Sequence, residues 1–224
     1  MQSKEGITIY QLIKRNVYLR LWTIVLYLVI LLFLPVFHSL KTEHFIWLSP
    51  LLLIINVIAV IDSAHAFRLF RRFGHEESHI FYQSLPVSKH QLIHAHYITI
   101  IMMTLMGALV LWAFDIKTSF VSVNNISFDI LWVFLASNAL SIVFSFPRFS
   151  EQRREKTANI IVFIIFVQLL IPLVIGLSGV SLGIIFYDNS DYFMTYNLAL
   201  YYFVVSIIAA IGTYLYQIRR SNDV

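Results

Sequence analysis

The sequence predicts an all-α polytopic membrane protein, and three observations carry that prediction. Of its 224 residues 59% are hydrophobic and 12% charged, where soluble domains hold about 45–50% apolar and about 25% charged residues. The apolar residues fall in blocks close to the roughly 20 residues that a helix needs to cross hydrocarbon. Lys and Arg collect on alternate connections between those blocks. With a mean hydropathy of +0.78 and a mass of 26.1 kDa, the chain is read as one membrane domain over residues 1–224, and soluble-enzyme and disordered readings are excluded. It has no cysteine, so no disulfide framework, thiolate metal site or cysteine nucleophile is available.

The elements follow in order. Over 7–20, Tyr10, Ile13 and Val17 recur at i, i+3 and i+7 opposite Gln11, Lys14 and Arg15, which predicts an interfacial helix along a membrane surface. Six apolar stretches then qualify as spans, near 21–40, 46–67, 94–114, 127–147, 158–179 and 196–216. Polar segments such as Lys41–His44 and Asp188–Asp191 separate them, because irregular backbone has no hydrogen-bond partners in lipid. The fifth apolar run continues from Ala158 to Tyr187 and contains Pro172, Gly176, Gly179 and Gly183. Its length and its Pro predict a break after Pro172 or Gly176, with 177–187 as a short re-entrant or outer-leaflet element.

Charge sets the expected orientation. Lys4, Lys14, Arg15 and Arg20 precede the first span, and Arg68, Arg71, Arg72 and Lys89 lie between the second and third. Arg148, Arg153, Arg154 and Lys156 lie between the fourth and fifth, and Arg219 and Arg220 follow the sixth. The alternate loops hold only Lys41 and Lys117 beside Glu43, Asp115, Asp129, Asp188 and Asp191. By the positive-inside rule both termini are cytoplasmic in the cell membrane. The net charge of +4 is thereby a topology signal that calls for lipid, not nucleic acid, as its partner.

Two groups of residues compete for chemistry. His75-Glu76-Glu77-Ser78-His79 matches H-E-x-x-H, the spacing that sets two imidazoles one helical turn apart on zinc with a glutamate as general base. It opens the alternative of a membrane-embedded zinc metalloprotease, although Gly74 interrupts the helix on which the motif depends. His94-Ala95-His96 cannot place both rings on one helical face, since residues two apart diverge around the axis. The polar residues within the spans are Asn56, Asp62, Asn138 and Gln168. Asp62 pairs with the nearby arginines or gates the inner end, and the amides join helices through hydrogen bonds. No Gly is followed by Lys-Ser or Lys-Thr, so the chain lacks a phosphate-cradling loop of its own.

The connection between the second and third spans is more specific. Glu76-Glu77 is followed by a short amphipathic stretch, then by Leu85-Pro86-Val87-Ser88-Lys89, Leu92-Ile93 and Tyr97. Pro86 disfavours helix at Leu85, and Ser88 is placed to cap a new helix. This pattern, with the basic turn Phe149 to Lys156 and the six-span layout, resembles the ABC-2-type transporter permeases, including those of the phenol-soluble-modulin exporter. Lys89 stands where Arg is usual in that family, and His96 replaces a lysine. The resemblance implies a noncatalytic permease subunit of an ATP-driven exporter, with ATP and Mg bound by a partner ABC ATPase and no cofactor or metal in this chain. It implies a second permease copy or a paralogue, and cargo of amphipathic peptides or lipophilic compounds. It assigns ATPase coupling to residues 76–93, with Glu76, Glu77, Leu85, Pro86, Val87, Ser88 and Lys89 at its centre. A noncatalytic membrane immunity or scaffold protein is the remaining alternative.

Overall fold

Thr8 and Gln11 close a reciprocal cap: the Gln11 amide donates to Thr8 Oγ1 (3.4 Å) and the Thr8 amide to Gln11 Oε1 (3.1 Å). This satisfies two of the amides that a helix start otherwise leaves without partners, and α1 (Ile9–Leu19) begins there. The computed structural model describes residues 8–33, 35, 65–66, 87–113, 130–145, 157–193 and 196–222. Helix α1 ends at Arg20, whose φ of −109° is not helical, and α2 (Leu21–Leu32) leaves at 66° to it. The predicted interfacial helix is thus followed by an elbow. Tyr10, Lys14, Tyr18 and Trp22 point outward, while Leu12, Asn16 and Arg20 turn inward and are buried.

Ser88 and Gln91 repeat the same reciprocal cap, with amide-to-side-chain distances of 3.1 and 3.2 Å. They start α3 (Lys89–Ala113) at the place where the sequence puts a cap. The chain continues through α4 (Ile130–Ser145), α5 (Thr157–Ile165), a π-helical turn (Phe166–Leu170), α6 (Ile171–Tyr187) and α7 (Leu198–Asn222). Among the described residues there is no strand, and the protein is an all-α polytopic membrane protein. Helices α3 and α7 are each long and apolar enough to cross a membrane, the bent α1–α2 pair qualifies as a third span, and α4 and α6 are shorter apolar helices.

The expected break after Pro172 or Gly176 takes another form. The helix widens into the π turn just before Pro172 and then runs unbroken through 177–187 to Tyr187, so no re-entrant piece separates there. The Ile171 amide reaches Phe166 O. Continued by one residue, that i→i−5 pattern would bring the residue 172 amide to Val167 O, and proline has no such amide. The Tyr202 hydroxyl of α7 donates to Val167 O instead, at 3.2 Å. A side chain from a neighbouring helix therefore supplies the proton that Pro172 removes.

Packing centres on α3, α4 and α7. Among the described helices α4 and α7 share the most extensive interface, where Ala136 packs with Tyr202 and Ile142 with Ala210, and Ser137, Ser141 and Ser145 of α4 and Ser206 of α7 are buried. Lipid is as apolar as a leucine side chain, so helices in a membrane gain from close van der Waals contact, which small residues permit. The serines satisfy themselves within their own helices: Ser137 donates to Val133 O (2.7 Å), Ser145 to Ser141 O (2.6 Å) and Ser206 to Tyr202 O (2.8 Å). Ile93, Tyr97, Ile100, Ile142, Ala210 and Ala66 form the central apolar cluster. Gly107 lets α2, α3 and α4 meet, since a Cβ there would lie 2.6 Å from Phe134 Cζ and 2.9 Å from Tyr27 Oη.

Candidate functional site: a polar junction at the start of α3

The first three turns of α3 carry the side chains that tie this helix to its neighbours. His94 and His96 diverge as their two-residue spacing requires. The His94 ring lies 5.9 Å from that of Tyr214 on α7, whereas His96 is buried towards α1. Asn16 Nδ2 lies 3.2 Å from His96 Nδ1 and donates to Thr99 Oγ1 at 3.3 Å. The Arg15 guanidinium donates to Asn16 Oδ1 at 3.3 Å, which fixes the amide orientation because arginine can only donate. Thr99 passes its own proton to Ala95 O (2.7 Å). The result is a chain of contacts from Arg15 through Asn16 to one face of α3.

A second polar contact sits at the elbow. The Arg20 guanidinium approaches His65 Nδ1 at 3.0 Å, and His65 Nε2 lies 3.3 Å from the Tyr27 hydroxyl. Since the guanidinium is a donor only, His65 accepts at Nδ1 and carries its ring proton on Nε2. The Tyr27 and His65 rings are also edge-on, at 6.3 Å and 83°. Arg20, Tyr27 and His65 are all buried, and the contact fixes the elbow against residue 65.

On its other side α3 is bound to α7. The Tyr97 hydroxyl donates to Gln217 Oε1 at 3.3 Å, and the Tyr97 ring stands edge-on to Tyr214 at 4.9 Å and 66°. The helix that opens at the Ser88 cap is held by α1 on one face and by the end of α7 on another. Its displacement would load both neighbours within about three turns.

The sequence-assigned residues distribute unevenly over this structure. Asn56, Asp62, His75, Glu76, His79, Glu77, Leu85 and Pro86 lie outside the described residues. Val87 is half-buried, Ser88 is the exposed cap, and Lys89 is the first residue of α3. Asn138 is buried in α4 and donates to Phe134 O at 3.0 Å, within its own helix. Gln168 falls in the π turn. Among the described residues no three His, Cys, Asp or Glu side chains converge to hold a metal.

The junction residues Asn16, Arg20, Tyr27, His65, His96 and Thr99 lie outside the polar set that the sequence marks within the spans. Their signal is visible in retrospect. Leu12, Asn16, Thr23 and Tyr27 follow one another at helical spacings, with Arg20 at the bend, so the buried face of α1–α2 is partly polar. The apolar pattern of Tyr10, Ile13 and Val17 marks a different face.

No curated protein and no solved structure matches the chain. A family model described as "ABC-2 family transporter protein" matches residues 11–216. That range runs from α1 into α7 and takes in the elbow, the capped α3 and its contacts with α1 and with Tyr214 of α7, so the chain belongs to the ABC-2 transporter family.

Proposed function

We propose that this protein is the membrane-spanning permease of an ATP-driven exporter in the cell membrane. Family membership makes an ABC ATPase its partner. In our reading the assembly contains two permeases, identical or paralogous, and two ATPases that bind ATP and Mg, while this chain contributes no catalytic residue. Both termini and residues 76–93 face the cytoplasm, and the cargo is an amphipathic peptide or a lipophilic compound that moves along the permease interface. Helix α7 suits that interface. It buries fewer of its residues than α3 does, and Tyr201, Val204, Val205, Ile208, Ile211 and Leu215 stay exposed for lipid or a second copy.

The observation that supports coupling through 76–93 is the double attachment of α3. Glu76, Glu77, Leu85, Pro86, Val87, Ser88 and Lys89 would contact the ATPase, and α3 would pass the displacement to α1 through Asn16 and to α7 through Tyr97. ATP can drive such a change only if its bound and released states favour different arrangements of the permease. Asp62 would stabilise or gate the inner end, and Asn56 and Gln168 would serve helix association, whereas Asn138 bonds within α4.

The test is a mild-detergent pull-down of the tagged chain from its native membrane, repeated with Pro86→Ala combined with Glu77→Lys. Recovery of an ATPase with the unmodified chain and its loss with the variant supports the coupling surface. If no ATPase is recovered with the unmodified chain, the exporter reading is overturned.

A further inference from the structure

The turn between α6 and α7 is built to present aromatic rings. Helix α6 stops at Asp188, whose φ of 51° is left-handed, and the chain folds back so closely that a Cβ on Gly183 would lie 2.5 Å from Asn189 O. Amides of Asp188 and Asn189 donate back to Ile184 O and Gly183 O, both at 3.2 Å. This reversal stacks Tyr192 on Tyr187 at 3.7 Å with 10° between planes. Phe193 stands edge-on to both, at 5.7 and 5.2 Å, and Tyr196 lies 6.5 Å from Tyr192 and from Phe193. Tyr187 remains 51% exposed, Tyr196 49% and Tyr192 36%.

The charged side chains of this stretch of the sequence have one sign. Between Lys156 and Arg219 the sequence contains no Lys or Arg, and Asp188 and Asp191 are its only charged residues. Both flank the stacked pair. The hydrogen bond with Tyr187, followed by the neighbouring Tyr187 and Tyr196 phenols, holds Tyr192 above the ordinary phenol range, so it stays a neutral ring. Aromatic faces carry negative potential and attract cations within about 6 Å of the ring centroid, and two carboxylates add to that field. One turn before Tyr187, on the same face, α6 exposes Ile184. The rings are gathered against one another, with Asp188 and Asp191 next to Tyr187 and Tyr192 in the sequence.

We propose that Tyr187, Tyr192, Phe193 and Tyr196, with Asp188 and Asp191, form a recognition patch for an amphiphilic organic cation. Its positive head lies on the rings and carboxylates, and its apolar body lies along Ile184. The placement of the patch on the external face rests on the permease orientation given above; its affinity for cations does not.

The test titrates the purified chain, in uncharged dodecyl maltoside micelles and without any ATPase, with hexyltrimethylammonium, and separately with hexanesulfonate. Saturable binding of the cation and none of the sulfonate is expected. Tyr187→Leu and Tyr192→Leu should each weaken cation binding about 5-fold, as loss of one cation–ring contact implies. Tyr187→Phe, which keeps the ring, should retain binding, and Asp188→Asn with Asp191→Asn should weaken it. Asn tolerates the left-handed conformation at position 188. Equal response to cation and sulfonate, or leucine variants that bind as the original does, would overturn the patch while leaving the exporter reading intact. Since the chain has no cysteine, Ser190→Cys tests the face independently with an impermeant maleimide. Labelling in intact cells supports external placement, and labelling only after permeabilisation overturns that placement and the proposed orientation, whatever the binding result.

Discussion

Replacing Tyr202 with Phe isolates the device that lets a proline sit inside the long fifth helical run. The substitution removes one hydroxyl and leaves the ring to pack against Ala136 and Val167, its partners in the buried cluster. What is lost is the 3.2 Å hydrogen bond to Val167 O, the carbonyl that a residue 172 amide would otherwise serve. In water-soluble proteins an orphaned buried acceptor costs about 1–3 kcal/mol. Interhelical hydrogen bonds in a membrane average about 0.6 and reach about 1.7 kcal/mol, because the reference state also finds partners. Val167 O loses its substitute donor beside a proline, so the cost belongs near the upper membrane value, about 1.5 kcal/mol. That is roughly a tenfold shift in the folding equilibrium.

Unfolding by sodium dodecyl sulfate in mixed micelles measures the shift, and a double-mutant cycle with Pro172→Ala identifies its cause. An alanine in place of Pro172 restores an amide, and the segment can satisfy Val167 O either as α-helix or as π turn. The penalty of Tyr202→Phe should then fall to a few tenths of a kcal/mol, giving a coupling of about 1 kcal/mol between the sites. An equal penalty in the original chain and in the Pro172→Ala background would refute this account, since the hydroxyl would then act independently of the missing amide.

Three further outcomes are expected. Gly107→Ala places a Cβ 2.6 Å from Phe134 Cζ and 2.9 Å from Tyr27 Oη, and overpacking of this kind costs about 1–3 kcal/mol. It should lower the thermal midpoint in detergent, and Phe134→Leu should recover part of the loss; an unchanged midpoint would contradict the three-helix contact. Gly183→Ala meets the Asn189 carbonyl at 2.5 Å, backbone that cannot swing aside. Hydrogen exchange at the Asp188 and Asn189 amides should accelerate about tenfold or more, the effect of a loss of about 1.4 kcal/mol, whereas unchanged exchange would show that the turn accommodates a methyl. Asn16→Leu removes the contacts to His96 and Thr99 at a cost of about 1–2 kcal/mol. In the reconstituted transporter, nucleotide hydrolysis should persist while transport falls, and a parallel fall or no change in either would count against α1 as a receiver of the α3 displacement.

Much of the architecture is legible in single residues. Ser88 reads as a cap because Pro86 precedes it, and it caps α3. His94 and His96 are expected on different faces, and they meet α7 and α1 respectively. Periodicity predicts a helix over 7–20, and α1 spans Ile9–Leu19. The fifth run shows the limit of such reading. Pro172 signals a disturbance in the helix, but its form depends on whether another helix can supply a donor. Tyr202 lies on a different helix, far along the sequence, so no local pattern could reveal that a hydrogen bond would replace the missing amide.

Composition and spacing alone determine that this chain lives in a membrane, is helical and begins α3 at the Ser88 cap. These properties follow from solvent and local backbone chemistry, which act on each segment separately. Tertiary structure decided which polar groups are shared: Asn16 with His96 and Thr99, Arg20 with His65, Tyr97 with Gln217, Tyr202 with Val167 O. It also decided that Tyr187, Tyr192, Phe193 and Tyr196 gather into one patch. A buried polar side chain must find its partner wherever the packing of helices places one, and that packing is set by small residues such as Gly107, Ser141 and Ala210 acting together across the chain.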